Sequence, residues 1–219
     1  MAGRHKRKAL TRDRILAAAL QRADADGVAA VTMRGLAADL GVEAMSLYHH
    51  VPNKDALLDG MVEALVAAIA PAGPGRDWRQ TIRMRFLAAR KVMLRHRWAP
   101  ALIGTRTTIP PCIYAYYDWI LATLVAGGFN HHLAHRALHA FGSMPLGFVQ
   151  ELFAPAAPGD APSADELDAM ATALPHLTAM VAAEMHDAGD DPLGWCDSQA
   201  EFEFTMDLIL DGLERARKR

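Results

Sequence analysis

Cysteine is almost absent. The 219 residues hold only Cys112 and Cys196. Two thiols so far apart form neither a disulfide framework nor a zinc ligand set, and a reducing cytoplasm is the simplest setting for them. No run reaches the ~18 to 20 uninterrupted apolar residues of a membrane span, so no membrane partner is expected. The N-terminus is basic but has no apolar core behind it, so a signal peptide is not expected either. There is no internal repeat and no convincing alternating strand pattern. No Gly-rich phosphate loop, nucleophile elbow or pair of catalytic carboxylates stands out, which argues against an enzyme. Neither sign of charge dominates: 23 Lys and Arg against 25 Asp and Glu leave a formal net charge of −2. Affinity for nucleic acid would therefore have to come from a local patch. Such a patch exists in Arg4, Lys6, Arg7, Lys8, Arg12 and Arg14, whereas acidic residues gather later, in 160–166, 187–191 and 201–203.

Hydrophobic residues make up 52% of the chain, which excludes disorder along its whole length and leaves a core to be folded. Their spacing is helical. Thr11 caps a first helix with Ile15, Leu16, Ala19, Leu20 and Ala23 inward, ended by Gly27. Thr32 caps a second with Leu36, Ala37 and Leu40 inward. A short third runs over about 44–50. Asn53 caps a fourth, whose stripe is Leu57, Leu58, Met61, Val62, Leu65, Val66 and Ile69. Pro71 to Gly75 is the clearest break. Beyond it, Asp77 caps a helix over about 78–97, and residues 98–108 are irregular or a short helix. Pro110-Pro111 opens a helix ended by Gly127-Gly128. Asn130 caps one reaching about Phe153, bent at Pro145. After a Pro/Ala/Gly-rich loop over 154–162, capping boxes at Ser163 and Ser198 open two more helices, separated by a loop over 187–196. The expected fold is all-α, with about nine or ten helices. Three segments follow: a basic mobile tail (1–10), a small helical domain with a linking helix (11–70) and a larger helical domain (77–219).

Residues 32–54 stand apart. Two short helical patterns meet at Leu40-Gly41-Val42, with the glycine at the corner, the layout of a helix-turn-helix whose second helix enters the major groove. The segment Gly41-Val-Glu-Ala-Met-Ser-Leu-Tyr-His-His-Val-Pro-Asn-Lys-Asp-Ala-Leu-Leu58 resembles the signature of the tetracycline-repressor (TetR) family of bacterial transcription regulators. Gly27, Thr32, Arg34, Leu36, Ala37, Leu40, Gly41 and Val42 also stand where that family's pattern places them, and the likeness covers residues 11 to about 70. Leu36, Ala37, Leu40, Val42 and Leu47 would hold the helices at their angle. Candidate DNA-binding residues are Thr32 and Arg34 early in the second helix, Ala44, Met45, Ser46, Tyr48, His49 and His50 on and after the third, and Lys54 opening the fourth. Ala44 and Met45 suit thymine methyls, Ser46 a base or phosphate, and Arg34 a guanine. Lys54, together with the N–H groups at its helix start, suits a phosphate. The lesser alternative for Tyr48 is a half-buried packing residue. Glu43 and Asp55 read as solvated or helix-terminal charges.

The resemblance implies a homodimer on a palindromic operator, built from the helices over about 130–153 and 198–217. The last helix offers Phe202, Met206, Ile209, Leu210 and Leu213 as the interface, or as packing within its own chain. The larger domain more loosely resembles the tetracycline-repressor subfamily, through Gly104-Thr105-Arg106, Gly128-Phe129 and Leu146-Gly147. The histidine that the subfamily carries just before Gly-Thr-Arg is replaced by Leu102-Ile103, and Ala67 to Ala70 stand where another would end the fourth helix. A magnesium–tetracycline site is therefore not expected, and no cofactor is. Phe86, Met93, Trp98, Leu102, Ile103, Tyr117, Leu121, Phe141, Met144 and Phe148 suit a small, largely apolar effector, though each taken singly would also serve as core. His131, His135 and His139 share one helix face without a His-Glu-x-x-His pattern, and an interface or exposed face is the expectation over metal. The sequence thus points to a ligand-responsive DNA-binding regulator, most simply a repressor. The competing readings are a ligand-independent DNA-binding protein with a closed pocket, and a metal-dependent helical enzyme or carrier.

Overall fold

The computed structural model describes residues 9–69, 77–148, 164–184 and 197–219. The basic tail up to residue 8, the 71–75 break, the loops over 154–162 and 187–196 and the Ser163 cap lie outside the described residues. Those described contain helices and no strand. The first four helices are α1 (Arg12–Asp26), α2 (Met33–Leu40), α3 (Ala44–Tyr48) and α4 (Lys54–Ala68), with a 3-10 turn over Val28–Ala30. Then follow α5 (Trp78–Arg95), α6 (Ala99–Gly104), α7 (Pro111–Ala126), α8 (His131–Gly142) and α9 (Met144–Gly147). The last three are α10 (Ala164–Ala173), α11 (Pro175–Glu184) and α12 (Ser198–Arg217).

Side-chain caps fix most helix starts. Thr11, Thr32, Asn53, Asp77 and Asn130 each accept a hydrogen bond from the backbone N–H three residues on. At α12 the cap is Asp197, which accepts from the Ala200 N–H at 2.9 Å. The expected cap, Ser198, is the first helical residue and is buried. Proline accounts for two further departures. Helix α8 stops at Gly142, and Pro145 lies at the second position of α9, where its missing N–H costs nothing, instead of bending one continuous helix. The helix expected after residue 163 is two, α10 and α11, because Leu174 precedes Pro175 and is pushed away from helical backbone.

The chain forms two compact units, one up to Leu146 and one from Gly147 onward. In the first unit a core of Ile15, Leu16, Ala19, Leu36, Ala37, Leu47, Leu57, Met61 and Val62 binds α1 to α4 together. Leu102 of α6 belongs to that core, and Trp98, Ile103 and Ile113 pack against it. The break at 71–75 therefore does not separate two packed bodies. In the second unit α10 packs on α11, and Phe148 meets Phe202 of α12 edge to face at 5.6 Å. Phe202, Met206, Leu210 and Leu213 are buried within the single chain, so that face is already covered. The exposed apolar residues of α12 are Phe204 and Leu208, 65% and 55% exposed.

Candidate DNA-reading face and effector cavity

The corner between α2 and α3 depends on Gly41. Its φ of 65° is left-handed, where a side chain is strained. The turn is closed by the Val42 N–H donating to the Ala37 carbonyl at 3.0 Å. Leu47, fully buried, anchors α3 on the core from below. The opposite side of α3 is left outward: Met45 is 70% exposed, Tyr48 40%, and His49 and His50 are exposed. Ala44 and Ser46 are half-buried. Thr32 and Arg34 are exposed at the start of α2. The Thr32 oxygen is occupied as a cap acceptor, but its hydroxyl hydrogen can still donate. Lys54 is the first residue of α4, directly behind the Asn53 cap. Burial lowers its pKa from the ordinary lysine value, and an arriving phosphate oxygen would offset that loss of solvation.

These residues bear hydroxyls, imidazoles, a guanidinium and an ammonium. Among them is no nucleophile–base pair to do covalent chemistry. Their groups match what a duplex offers: donors for phosphate oxygens, and a short helix end for base edges.

A second feature lies deeper in the same unit. A cavity of about 80 Å3 is lined by Val66 and Ile69 at the end of α4, by Phe86, Ala89 and Met93 of α5, and by Ile103 of α6. Ile113, Tyr116, Tyr117 and Ile120 of α7, with Gly142, Pro145 and Leu146, complete it. Of the ten candidate effector residues, Phe86, Met93, Ile103 and Tyr117 are brought together there. Phe141 is fully buried and stacks on Phe86 with ring centroids 4.9 Å apart, a supporting position behind the wall. Leu102 is core, and Met144 is buried outside the lining. Leu121 is not in the lining either, and Phe148 belongs to the second unit. Trp98 instead donates its indole N–H to Asp24. Sequence reasoning missed Tyr116, whose neighbour Tyr117 carried the same helical signal. Burial raises the Tyr116 pKa, and the nearby Arg85 opposes that rise. The Arg85 guanidinium lies 4.8 Å from the ring centres of both Tyr116 and Trp119.

Polar ties, also missed, join α1 and α4 to α5 and α6. Asp24 of α1 receives Trp98 Nε1 and pairs with His96 Nδ1, each at 2.7 Å. Arg106, just past α6, donates to Asp59 at 2.8 Å and to Asp55 at 3.2 Å, both on α4. No local pattern flags them, because the partners are 72 and 47 residues apart for the His96 and Asp59 bonds.

Comparison with known proteins matches both regions. The family described as bacterial regulatory proteins, tetR family, matches residues 15–61. The family described as tetracyclin repressor-like, C-terminal domain, matches residues 70–217. An HTH-type transcriptional regulator of Saccharopolyspora erythraea is 33% identical over 93% of this chain and 84% of its own. The class C tetracycline repressor protein of Escherichia coli is 30% identical, over 95% and 92% respectively. Among solved structures, Streptomyces coelicolor ActR in complex with actinorhodin superposes with a TM-score of 0.70 at 25% identity, covering 97% of this chain and all of that one.

Proposed function

The chain belongs to the tetR family of bacterial regulatory proteins, and from that premise we propose that it represses transcription as a homodimer on a palindromic operator and is released by a small, largely apolar effector. It is a DNA-binding transcriptional regulator; what this reading adds is the assignment of residues, of assembly and of release. The N-terminal turn of α2, the outer face of α3 with His49 and His50, and Lys54 meet the DNA. The surfaces facing the second copy are the exposed side of α12, with Phe204 and Leu208, and the exposed side of α8.

One observation carries the release mechanism. The cavity shares its walls with the helices that hold the reading unit. Val66 and Ile69 form its edge at one end of α4, while Lys54 stands at the other. Ile103 comes from α6, which Arg106 ties to Asp55 and Asp59 of α4. At about 80 Å3 the cavity is smaller than the roughly 150 Å3 that accommodates a single benzene ring. An effector that fills it fully moves its walls apart, and α4 and α6 are among them. Displacing the inner end of α4 swings its outer end and the attached α3. The effector binds the displaced state better, so it depopulates the DNA-binding state.

The lining also sets the chemistry of the effector. Among the described residues it holds no histidine and no carboxylate, and its polar side-chain groups are the Tyr116 and Tyr117 hydroxyls. A flat, mostly apolar molecule with one or two hydrogen-bonding groups fits. A magnesium chelate does not, since Ile103 and the Val66–Ile69 edge offer no ligand. ActR, a structural neighbour, is seen in complex with a ligand, actinorhodin. Selecting duplex fragments bound by the full chain, then screening aromatic compounds for release, tests this reading. A release that requires magnesium, or that survives Ile103→Arg in the cavity wall, would overturn it.

A further inference from the structure

Helix α8 presents a feature that neither DNA reading nor the cavity uses. His135 and His139 lie one turn apart on its exposed side, with Nε2 atoms 3.1 Å from each other. Their rings meet edge to face with centroids at 4.6 Å. Two nitrogens bound to one ion at roughly 2.0 to 2.1 Å are about 3.3 Å apart for tetrahedral ligation and about 2.9 Å for ligation at right angles. The observed separation falls between these values. The pair therefore already has the spacing of a chelate, and a turn of the rings would aim both nitrogens at one ion.

The scaffold is rigid. Asn130 caps the helix, and Ala134, Ala137 and Phe141 are buried along its inner side. The two imidazoles are thus held on one face by the i, i+4 spacing. Without metal, one ring donates its Nε2 hydrogen to the lone pair of the other. To bind an ion, the donating ring gives up that hydrogen to solvent and takes one at Nδ1, and the rings turn so that both Nε2 lone pairs face the same point. Neutral imidazole favours zinc, nickel and copper over magnesium and calcium. Among the described residues no group of three His, Cys, Asp or Glu side chains surrounds a common point, so the chain supplies two ligands and water or a second copy supplies the others.

We propose that His135 and His139 form a two-histidine site for a divalent transition-metal ion such as zinc or nickel on the outer side of α8, the side that the proposed dimer turns toward the second copy. The site does not depend on which effector enters the cavity or on which operator is bound.

Calorimetric titration of the untagged full chain with zinc chloride, and separately with nickel chloride, tests it. Three proteins are compared: the unaltered chain, His139→Ala, and a His131→Ala/His132→Ala control on the same helix. All replaced residues are exposed, so folding is preserved, and circular dichroism checks this. The expected result is a saturable site in the unaltered chain and in the control, weakened by at least about tenfold in His139→Ala. Zinc should also raise the melting temperature of the unaltered chain and of the His131→Ala/His132→Ala control, and not of His139→Ala. Stoichiometries of one ion per protomer or one per two protomers both support the site. Equal affinity in His139→Ala, or no binding below millimolar metal in the unaltered chain, overturns it.

Discussion

Replacing Lys54 with Met removes one cation from the start of α4 while keeping an apolar stem where Lys54 lies beside Val28, Leu58 and Leu102. Asn53 still caps the helix through the Ala56 N–H at 2.8 Å, so the backbone donors at the helix end are unchanged. If each Lys54 neutralises one phosphate, each copy contributes about 0.9 to the slope of log affinity against log salt. Two copies on a palindrome contribute about 1.8. Between about 50 and 200 mM salt, a fourfold change, the original protein should therefore lose roughly twelve times more affinity than the variant. The loss of charge should weaken binding at low salt on all sequences alike, without changing which operator is preferred. Fluorescence anisotropy with a labelled, selected duplex at five or six salt concentrations gives both slopes. Lys91→Met, at an exposed position on α5, serves as a control and should leave the slope unaltered. An unchanged slope in Lys54→Met, or an equal change in Lys91→Met, would show that phosphate is not held at α4 and that the docking geometry is wrong.

Three other outcomes can be checked. Leu47→Ala empties a fully buried position under α3 and should cost roughly 2 to 5 kcal/mol, read by thermal or urea unfolding; a loss below about 1 kcal/mol would mean that α3 is not seated on the core. Phe204→Asp with Leu208→Asp places charges on the exposed face of α12 and should shift the mass in solution from dimer to monomer; an unchanged mass on sedimentation would move the interface to another face. Tyr116→Phe should flatten the alkaline end of the stability profile. The raised pKa of Tyr116 means that the folded state holds its proton more tightly, so this residue's contribution is complete below the ordinary tyrosine value of 10.0 and is lost as pH rises through the folded value. Chemical denaturation between pH 8 and 11 compares the two proteins, and parallel profiles would contradict the assignment.

Much of the architecture was readable because it is written locally. Thr11, Thr32, Asn53, Asp77 and Asn130 cap helices by reaching three residues along the chain, and Gly41 takes a backbone conformation that its residue type permits. The reading set on α3 came from the resemblance to the family; of it, Met45, Tyr48, His49 and His50 are exposed and Ala44 and Ser46 half-buried. The last helix was harder, because an apolar stripe states that a face is covered and not what covers it. Phe202, Met206 and Leu210 are buried in their own chain, and the exposed Phe204 and Leu208 break the stripe that sequence reading favours. The apolar cavity was half legible for the same reason: Phe86, Met93, Ile103 and Tyr117 line it, whereas Trp98 and Leu102 have equal apolar character but other partners. Which apolar residue borders empty space depends on how α4, α5, α6 and α7 meet, and that is a property of packing. The ties of Asp24 to His96 and of Arg106 to Asp59 lie further from sequence reading, since each joins polar side chains brought together only by the fold.

The central claim is that the exposed face of α3 and the residues just after it read DNA. Titrating the selected operator duplex with the unaltered chain and with Tyr48→Ala/His49→Ala tests it most directly. Both replaced side chains are exposed, so circular dichroism and solution mass should match between the two proteins. The account predicts that specific binding by the double variant falls to the level of its binding to unrelated duplex, a loss on the order of a hundredfold or more. A double variant that binds the operator as tightly as the unaltered chain would contradict it.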